Sequence, residues 1–157
     1  MARFSARAIG EVVAVLGVVL SLVFVGLQLR QNALVSRASA YQELGIAMAE
    51  GWRLRASDRE LNDLLYMANS TDPDVRSKLT DSDMRRVQAY TLSYLRIYQS
   101  AYLEVQQGLL PPEALVDLGL RGVKGSAFLQ HMWPSLQLLL STEFADYLES
   151  ELDLPQD

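Results

Sequence analysis

A chain of 157 residues supplies about one domain's worth of material. Half of it is apolar, 21% is charged and cysteine is absent, which excludes a chain disordered by composition, a disulfide scaffold and a zinc–cysteine module. The net charge of −5 is local, because residues 141–157 hold six acids (Glu143, Asp146, Glu149, Glu151, Asp153 and Asp157) and no base, leaving thirteen acids against fourteen bases elsewhere. Only two of those bases are lysines. No basic face is available to neutralise phosphates, so nucleic acid is excluded as a partner.

Residues 12–29, VVAVLGVVLSLVFVGLQL, form a run of 18 uncharged residues broken in apolarity only by Ser21 and Gln28. As a helix it covers roughly 27 Å, and with Ile9, Gly10 and Glu11 it approaches the ~20 residues that span a hydrocarbon core. Glu11 then falls at headgroup level. Arg3 and Arg7 before the run, and Ala38-Ser39-Ala40 after it, resemble the ends of a cleaved secretory signal. The apolar run is longer than the 7–15 residues of such a signal's core, and two arginines separate it from the candidate cleavage site. A retained transmembrane helix is therefore predicted. A buried helix of a soluble protein would need cover on every face, which a domain of this size rarely supplies.

Gly10, Ala14, Gly17 and Ser21 recur at spacings of four, three and four, with Gln28 seven residues further on. Such a stripe lets helix backbones approach closely in lipid and predicts a membrane helix-packing face; small residues are also common in membrane helices without that role. Arg3 and Arg7 on one flank balance Arg30 and Arg37 on the other. Arg53, Arg55 and Arg59, further out, tilt the reading towards a cytoplasmic domain over a periplasmic one.

Beyond the span, Leu34, Ala38, Tyr41, Gly45, Met48 and Trp52 recur every three or four residues. The first helix is expected to continue and to lay that stripe on other elements, with Gly51 as a point where it could bend. Asp58 is placed to cap a helix running to about Asn69, followed by a loop over 70–74. Thr80 and Asp83 resemble a capping box for a long helix that ends with Gly108 as its C′ residue. That helix carries Tyr90, Tyr94, Tyr98 and Tyr102, which spiral slowly around it. They form either an aromatic ligand-contacting surface or core rings with hydroxyls at the rim.

Pro111-Pro112-Glu113 opens another helix, the glycines from Gly119 to Gly125 loosen the chain, and Ser126 begins the next helix. Phe128, Leu129, Met132 and Trp133 share one face there. Pro134 kinks or breaks the helix, and Leu136, Leu138, Leu139 and Leu140 continue as core. Thr142 is expected to cap a last helix with Phe144, Tyr147, Leu148 and Leu152 inside. No stretch alternates apolar and polar residues, so the predicted fold is all-α: an N-terminal transmembrane helix extending into a small helical bundle. The domains divide as a tail and membrane helix over 1–30 and a helical domain with an acidic tail over 31–157.

Signals of chemistry are sparse. His131 is the sole histidine; beside Met132 and Trp133 it reads as a structural or interface residue, and the paired Glu-x-x-His helices of di-iron bundles are absent. Glu43 and Glu50 share a helix face, but Arg53 and Arg55 nearby can partner such acids. There is no nucleophile elbow, phosphate loop, dinucleotide fingerprint or zinc pattern. Ser126 after Gly125 is a turn and cap. No catalytic residue, metal ligand or cofactor is predicted.

The juncture Leu27-Gln28-Leu29-Arg30-Gln31-Asn32, followed by Tyr41-Gln42, resembles a family of uncharacterised single-pass bacterial membrane proteins whose N-terminal span ends in a Gln-x-Arg-Gln-Asn sequence. The resemblance covers about the first 45 residues. It implies a single-pass protein of the bacterial inner membrane with a helical domain, and it transfers no site residues. Physically, the amides of Gln28, Gln31 and Asn32 can hydrogen-bond at headgroup depth while Arg30 snorkels to phosphate.

The expectation is a non-enzymatic accessory or scaffold subunit of a larger respiratory, transport or photosynthetic membrane complex. Its partners would be membrane lipid and other membrane-protein subunits, or a second copy of itself. The alternative is a membrane-tethered ligand-binding or regulatory module that uses Trp52, the four tyrosines, His131 and Trp133 as its surface.

Overall fold

The structure, a computed structural model, describes residues 6–155. Arg3 and Asp157 lie outside the described residues, as do the side chains of Arg7, Ile9 and Val12. Every regular element is helical and no strand occurs among the described residues: α1 (Ala6–Ser57), α2 (Arg59–Ala68), α3 (Pro73–Arg76), α4 (Asp81–Gln106), α5 (Ala114–Asp117), α6 (Ala127–Leu136) and α7 (Thr142–Leu152), with single 3-10 turns over Leu120–Val123 and Gln137–Leu139. The fold is all-α. Packing divides the chain into two units, Met1–Ser39 and Ala40–Asp157. That boundary marks where burial begins, beyond the end of the apolar run at Leu29.

In the first unit, apolar side chains cover all faces of α1 over residues 13–27, and each is exposed, Phe24 by 60% and Leu20 by 68%. Val13–Ser57 contains an 18-residue stretch of mean hydropathy 2.2, none of it buried, so this is a helix long and apolar enough to cross a membrane. The Ala38-Ser39-Ala40 segment lies inside the same helix.

The second unit has its own core. The end of α1 contributes Ala40, Leu44 and Met48; α2 adds Leu61, Leu64, Leu65 and Ala68; α4 adds Val87, Leu95, Tyr98 and Ala101. Leu115 of α5, Leu120 of the following turn, Phe128, Leu129, Trp133 and Leu136 of α6, and Phe144, Leu148 and Leu152 of α7 complete it. Burial at these positions follows the 3.6-residue period of each helix.

Local chemistry sets the boundaries. Asp58 accepts the Leu61 amide at 2.9 Å as N-cap of α2, and its other oxygen receives Arg86 at 2.7 Å, which ties α2 to α4. Thr80 and Asp83 form the complete capping box. α4 ends in a Schellman motif: Gly108 has φ 71°, its N–H bonds the Val105 carbonyl, and the Leu109 N–H bonds the Glu104 carbonyl. Ser126 accepts the Leu129 amide at 3.1 Å to start α6.

Several expectations are corrected. The buried face of α1 is Ala40, Leu44 and Met48; of the stripe expected to pack only Met48 lies on it, while Leu34, Ala38, Tyr41, Gly45 and Trp52 are exposed. α1 continues as helix past Gly51 to Ser57. The loop at 70–74 contains the start of α3, capped by Asp72 through the Asp74 amide. α5 begins only after both prolines, at Ala114. Leu136 is buried, but Leu138 and Leu139 face solvent, because α6 gives way to a 3-10 turn two residues after Pro134. Thr142 is the first residue of α7, with Ser141 in the cap position and making no side-chain cap bond.

Candidate functional site

A half-open cavity of about 220 Å³ lies in the second unit. Trp52 and Arg55 from the end of α1 form one wall, Tyr90, Tyr94 and Tyr98 from α4 another, and Gly119 and Gly122 around the 3-10 turn a third. Asn69 and Ser126 also reach it, the Ser126 hydroxyl donating to Asn69 Oδ1 at 2.6 Å. A spacing of four along α4 brings the three tyrosine rings to one side.

The rings contact one another at angles suited to aromatic packing. Trp52 and Tyr94 meet edge to face, with centroids 6.4 Å apart and planes at 85°, and Tyr90 lies 5.0 Å from Tyr94. Tyr90 donates its hydroxyl to the Gly51 carbonyl and Tyr98 donates to the Leu118 carbonyl, both at 3.2 Å. The Tyr94 hydroxyl is buried and has no hydrogen-bond partner. Its ring occupies the space left by Gly51, where a Cβ would fall 2.5 Å from the hydroxyl oxygen.

Burial pushes the Tyr98 phenol up to about 12. Burial first, and then the neighbouring Tyr90 hydroxyl, raise Tyr94 further. Both phenols are therefore protonated donors at neutral pH, without the ionised oxygen a nucleophile or base would offer. Arg55 is half-buried, sits 6.0 Å over the Trp52 ring, and donates Nε to Asn62 Oδ1 at 2.9 Å.

Of the residues expected to form a ligand surface, Trp52, Tyr90, Tyr94 and Tyr98 come together. Tyr102 does not join them: its ring packs 5.4 Å from Phe144 and 4.9 Å from Tyr147. Trp133 is fully buried and donates its indole N–H to Glu149 at 2.9 Å, so it is core and presents no surface. His131 is exposed on α6, away from the cavity lining. The sequence reading missed Arg55, Asn69 and the two glycines as lining residues. Only Arg55 had a local signal, standing three residues from Trp52 on the same helix face.

In the apolar segment of α1 and just after it, Gly10, Ala14, Gly17, Ser21 and Gln28 are all exposed, as are Arg30, Gln31 and Asn32. Nothing lies within 4 Å of where a Cβ would stand at Gly10 or Gly17. The Ser21 hydroxyl donates to the Gly17 carbonyl at 2.8 Å, so its hydrogen is used inside the helix.

Glu50 makes a two-pronged pair with Arg53, at 3.0 and 2.6 Å, which holds its carboxyl below the usual range. Glu104 has its Oε2 buried without a partner, and its pKa is raised by burial and then by the Glu43 charge. Among the described residues no group of three or more histidine or acidic side chains is arranged to hold a metal ion. No family model matches the chain, and neither does any curated protein or solved structure.

Proposed function

We propose that the chain is a non-enzymatic, single-pass protein of the bacterial inner membrane, with α1 as the span and the helical domain as a cytoplasmic docking element for other membrane subunits. The observation that carries this reading is the uncovered apolar surface of α1: between residues 13 and 35 every described large apolar side chain is about half exposed or more. Water tolerates no contiguous apolar patch of that extent on a stable monomer, whereas acyl chains or other lipid-embedded helices would cover it. The small-residue stripe from Gly10 to Ser21 supports a helix partner within the bilayer.

Alkaline washing of cell membranes should leave the protein in the pellet. Leu20→Arg, which adds about 2.5–3.5 kcal/mol to insertion at a helix centre, should move a large share of it to the soluble or degraded fraction. Purification in mild detergent should recover associated membrane subunits or a second copy. A soluble wild-type chain, or an isolated monomer in detergent, would overturn the proposal.

The cavity favours a second reading, a membrane-tethered ligand-binding module. Its support is an aromatic hollow that the core leaves unfilled, beside Arg55, which has no carboxylate partner among the described residues.

A further inference from the structure

The cavity beside Trp52 has a size, a wall chemistry and a charge that together describe a ligand. Its volume of about 220 Å³ exceeds the ~150 Å³ of an engineered apolar cavity that takes up benzene and lies below the ~300 Å³ at which drug-sized pockets begin. One six-membered ring with a substituent of a few atoms fits that interval; a fused polycycle or a nucleotide does not.

The walls favour a flat, unsaturated guest. Trp52 is 58% exposed, while the other indole, Trp133, is wholly buried. A tryptophan left open over a hollow and flanked by Tyr90 and Tyr94 offers edges and faces for offset or edge-on packing, which an alkyl chain uses less well. Tyr90 and Tyr98 donate their hydroxyl hydrogens to main-chain carbonyls, so the polar demand of those two phenols is already met.

The charge is positive. Among the described residues no acidic side chain lines the cavity, and Arg55 is its one cationic lining residue. Arg53 is paired with Glu50, and Arg86 with both Asp58 and Glu60, whereas Arg55 has only the neutral Asn62 amide on Nε and the Trp52 ring beneath it. Its two terminal nitrogens keep the planar fork that suits a carboxylate. A lone guanidinium at the edge of an apolar hollow is placed for one negative charge, and a dianion such as phosphate would call for more donors than line this wall.

We propose that this cavity binds a small aromatic carboxylate, its single ring against Trp52, Tyr90 and Tyr94 and its carboxylate on Arg55. The proposal rests on the ligand-binding reading and specifies the ligand class. It is tested on the full-length protein in lipid nanodiscs, by calorimetry with three probes: phenylacetate, the isosteric neutral phenylacetamide, and acetate, which lacks the ring. Phenylacetate should bind at least about tenfold more tightly than phenylacetamide, as a charge-assisted hydrogen bond implies, and acetate should give no heat at the same concentrations. Arg55→Met should bring the two ring probes to within about twofold of each other, and Trp52→Ala should weaken both by about three- to tenfold. Arg55→Lys keeps the charge without the fork; it should reduce phenylacetate affinity while preserving its preference over the amide, and it serves if the methionine variant loses helicity. Equal binding of acid and amide to the wild type would overturn the carboxylate assignment while leaving a ligand pocket in place. Absence of binding by either ring probe up to millimolar concentration would remove the pocket reading as well.

Discussion

At position 51 the absence of a side chain makes room for a ring. Gly51 lies within α1, where glycine costs about 1 kcal/mol against alanine, yet the Tyr94 ring fills the volume a Cβ would occupy, at 2.5–2.7 Å. Gly51→Ala should therefore destabilise the domain by about 1–3 kcal/mol through overpacking, despite the better helix propensity. In a Tyr94→Ala background the same change should become neutral or stabilising, and chemical denaturation of the four variants checks the reversal. A second residue-scale expectation concerns Trp133→Phe, which removes the indole N–H held by Glu149 and leaves a void in a fully buried site. A loss of about 2 kcal/mol is expected, read from the shift of the denaturation midpoint. Glycine at 51 reads as a weak point because its reason for being there is a tyrosine far along the chain. The face Trp133 shares with Phe128 and Leu129 marks it as core, but its bond to Glu149 is not legible, because that acid belongs to a different helix.

At the scale of elements, what is local was readable. Asp58, the Thr80–Asp83 box, Gly108 and Ser126 act on amides or carbonyls within a few residues of themselves, so spacing alone located the ends of α2, α4 and α6. Ser126→Ala should cost about 1 kcal/mol, and Gly108→Ala a similar amount, about 1 kcal/mol, because its φ of 71° disfavours a Cβ. Thermal unfolding of each variant should show the loss without a change of fold. Orientation was less readable. Two stripes on α1 share the helical period, and the one with larger side chains, Leu34, Tyr41 and Trp52, was the natural candidate for packing. The structure buries Ala40 and Leu44 instead, with Met48 the one member of the expected stripe that packs, and this choice depends on which neighbours arrive. The leucines at 138 and 139 look like core by composition, but in a 3-10 turn successive side chains point about 120° apart, so a run of leucines cannot all face inward. The cavity itself arises from the meeting of α1, α4 and the glycine-containing turn, and no single segment announces it.

At the scale of the whole molecule, acids pull stability in opposite directions with pH. Folding raises the pKa of Glu104 above its ordinary 4.5, so the folded state holds that proton more tightly; this contribution is full below 4.5 and is lost as pH rises through the folded value. Asp58, lowered chiefly by the Leu61 amide, and Asp83, lowered chiefly by the Thr80 hydroxyl, behave in reverse: their stabilisation is present above 3.8 and is lost as pH falls through their folded values. Glu104→Gln should raise the Tm at pH 7 by about 1–3 °C, with the gain shrinking as pH falls through the folded value and gone below 4.5. A pH series of calorimetric scans on wild type and variant checks it; a gain independent of pH would contradict the burial of that carboxylate as its cause. The all-α class was legible at this scale because helical periodicity runs through nearly every segment, and the apolar helix because 18 uncharged residues need no tertiary information to be seen.

One core cluster joins Ala40, at the start of the second unit, to Leu154. A ribosome adding 5–20 residues per second needs roughly 6–23 s to pass from one to the other. For that interval Leu44 and Met48 stand on the nascent helix while the α7 members of the same cluster have yet to be made. The core of the second unit can be completed only when translation has almost run through it, so the apolar start of the chain is synthesised well before the remainder can fold.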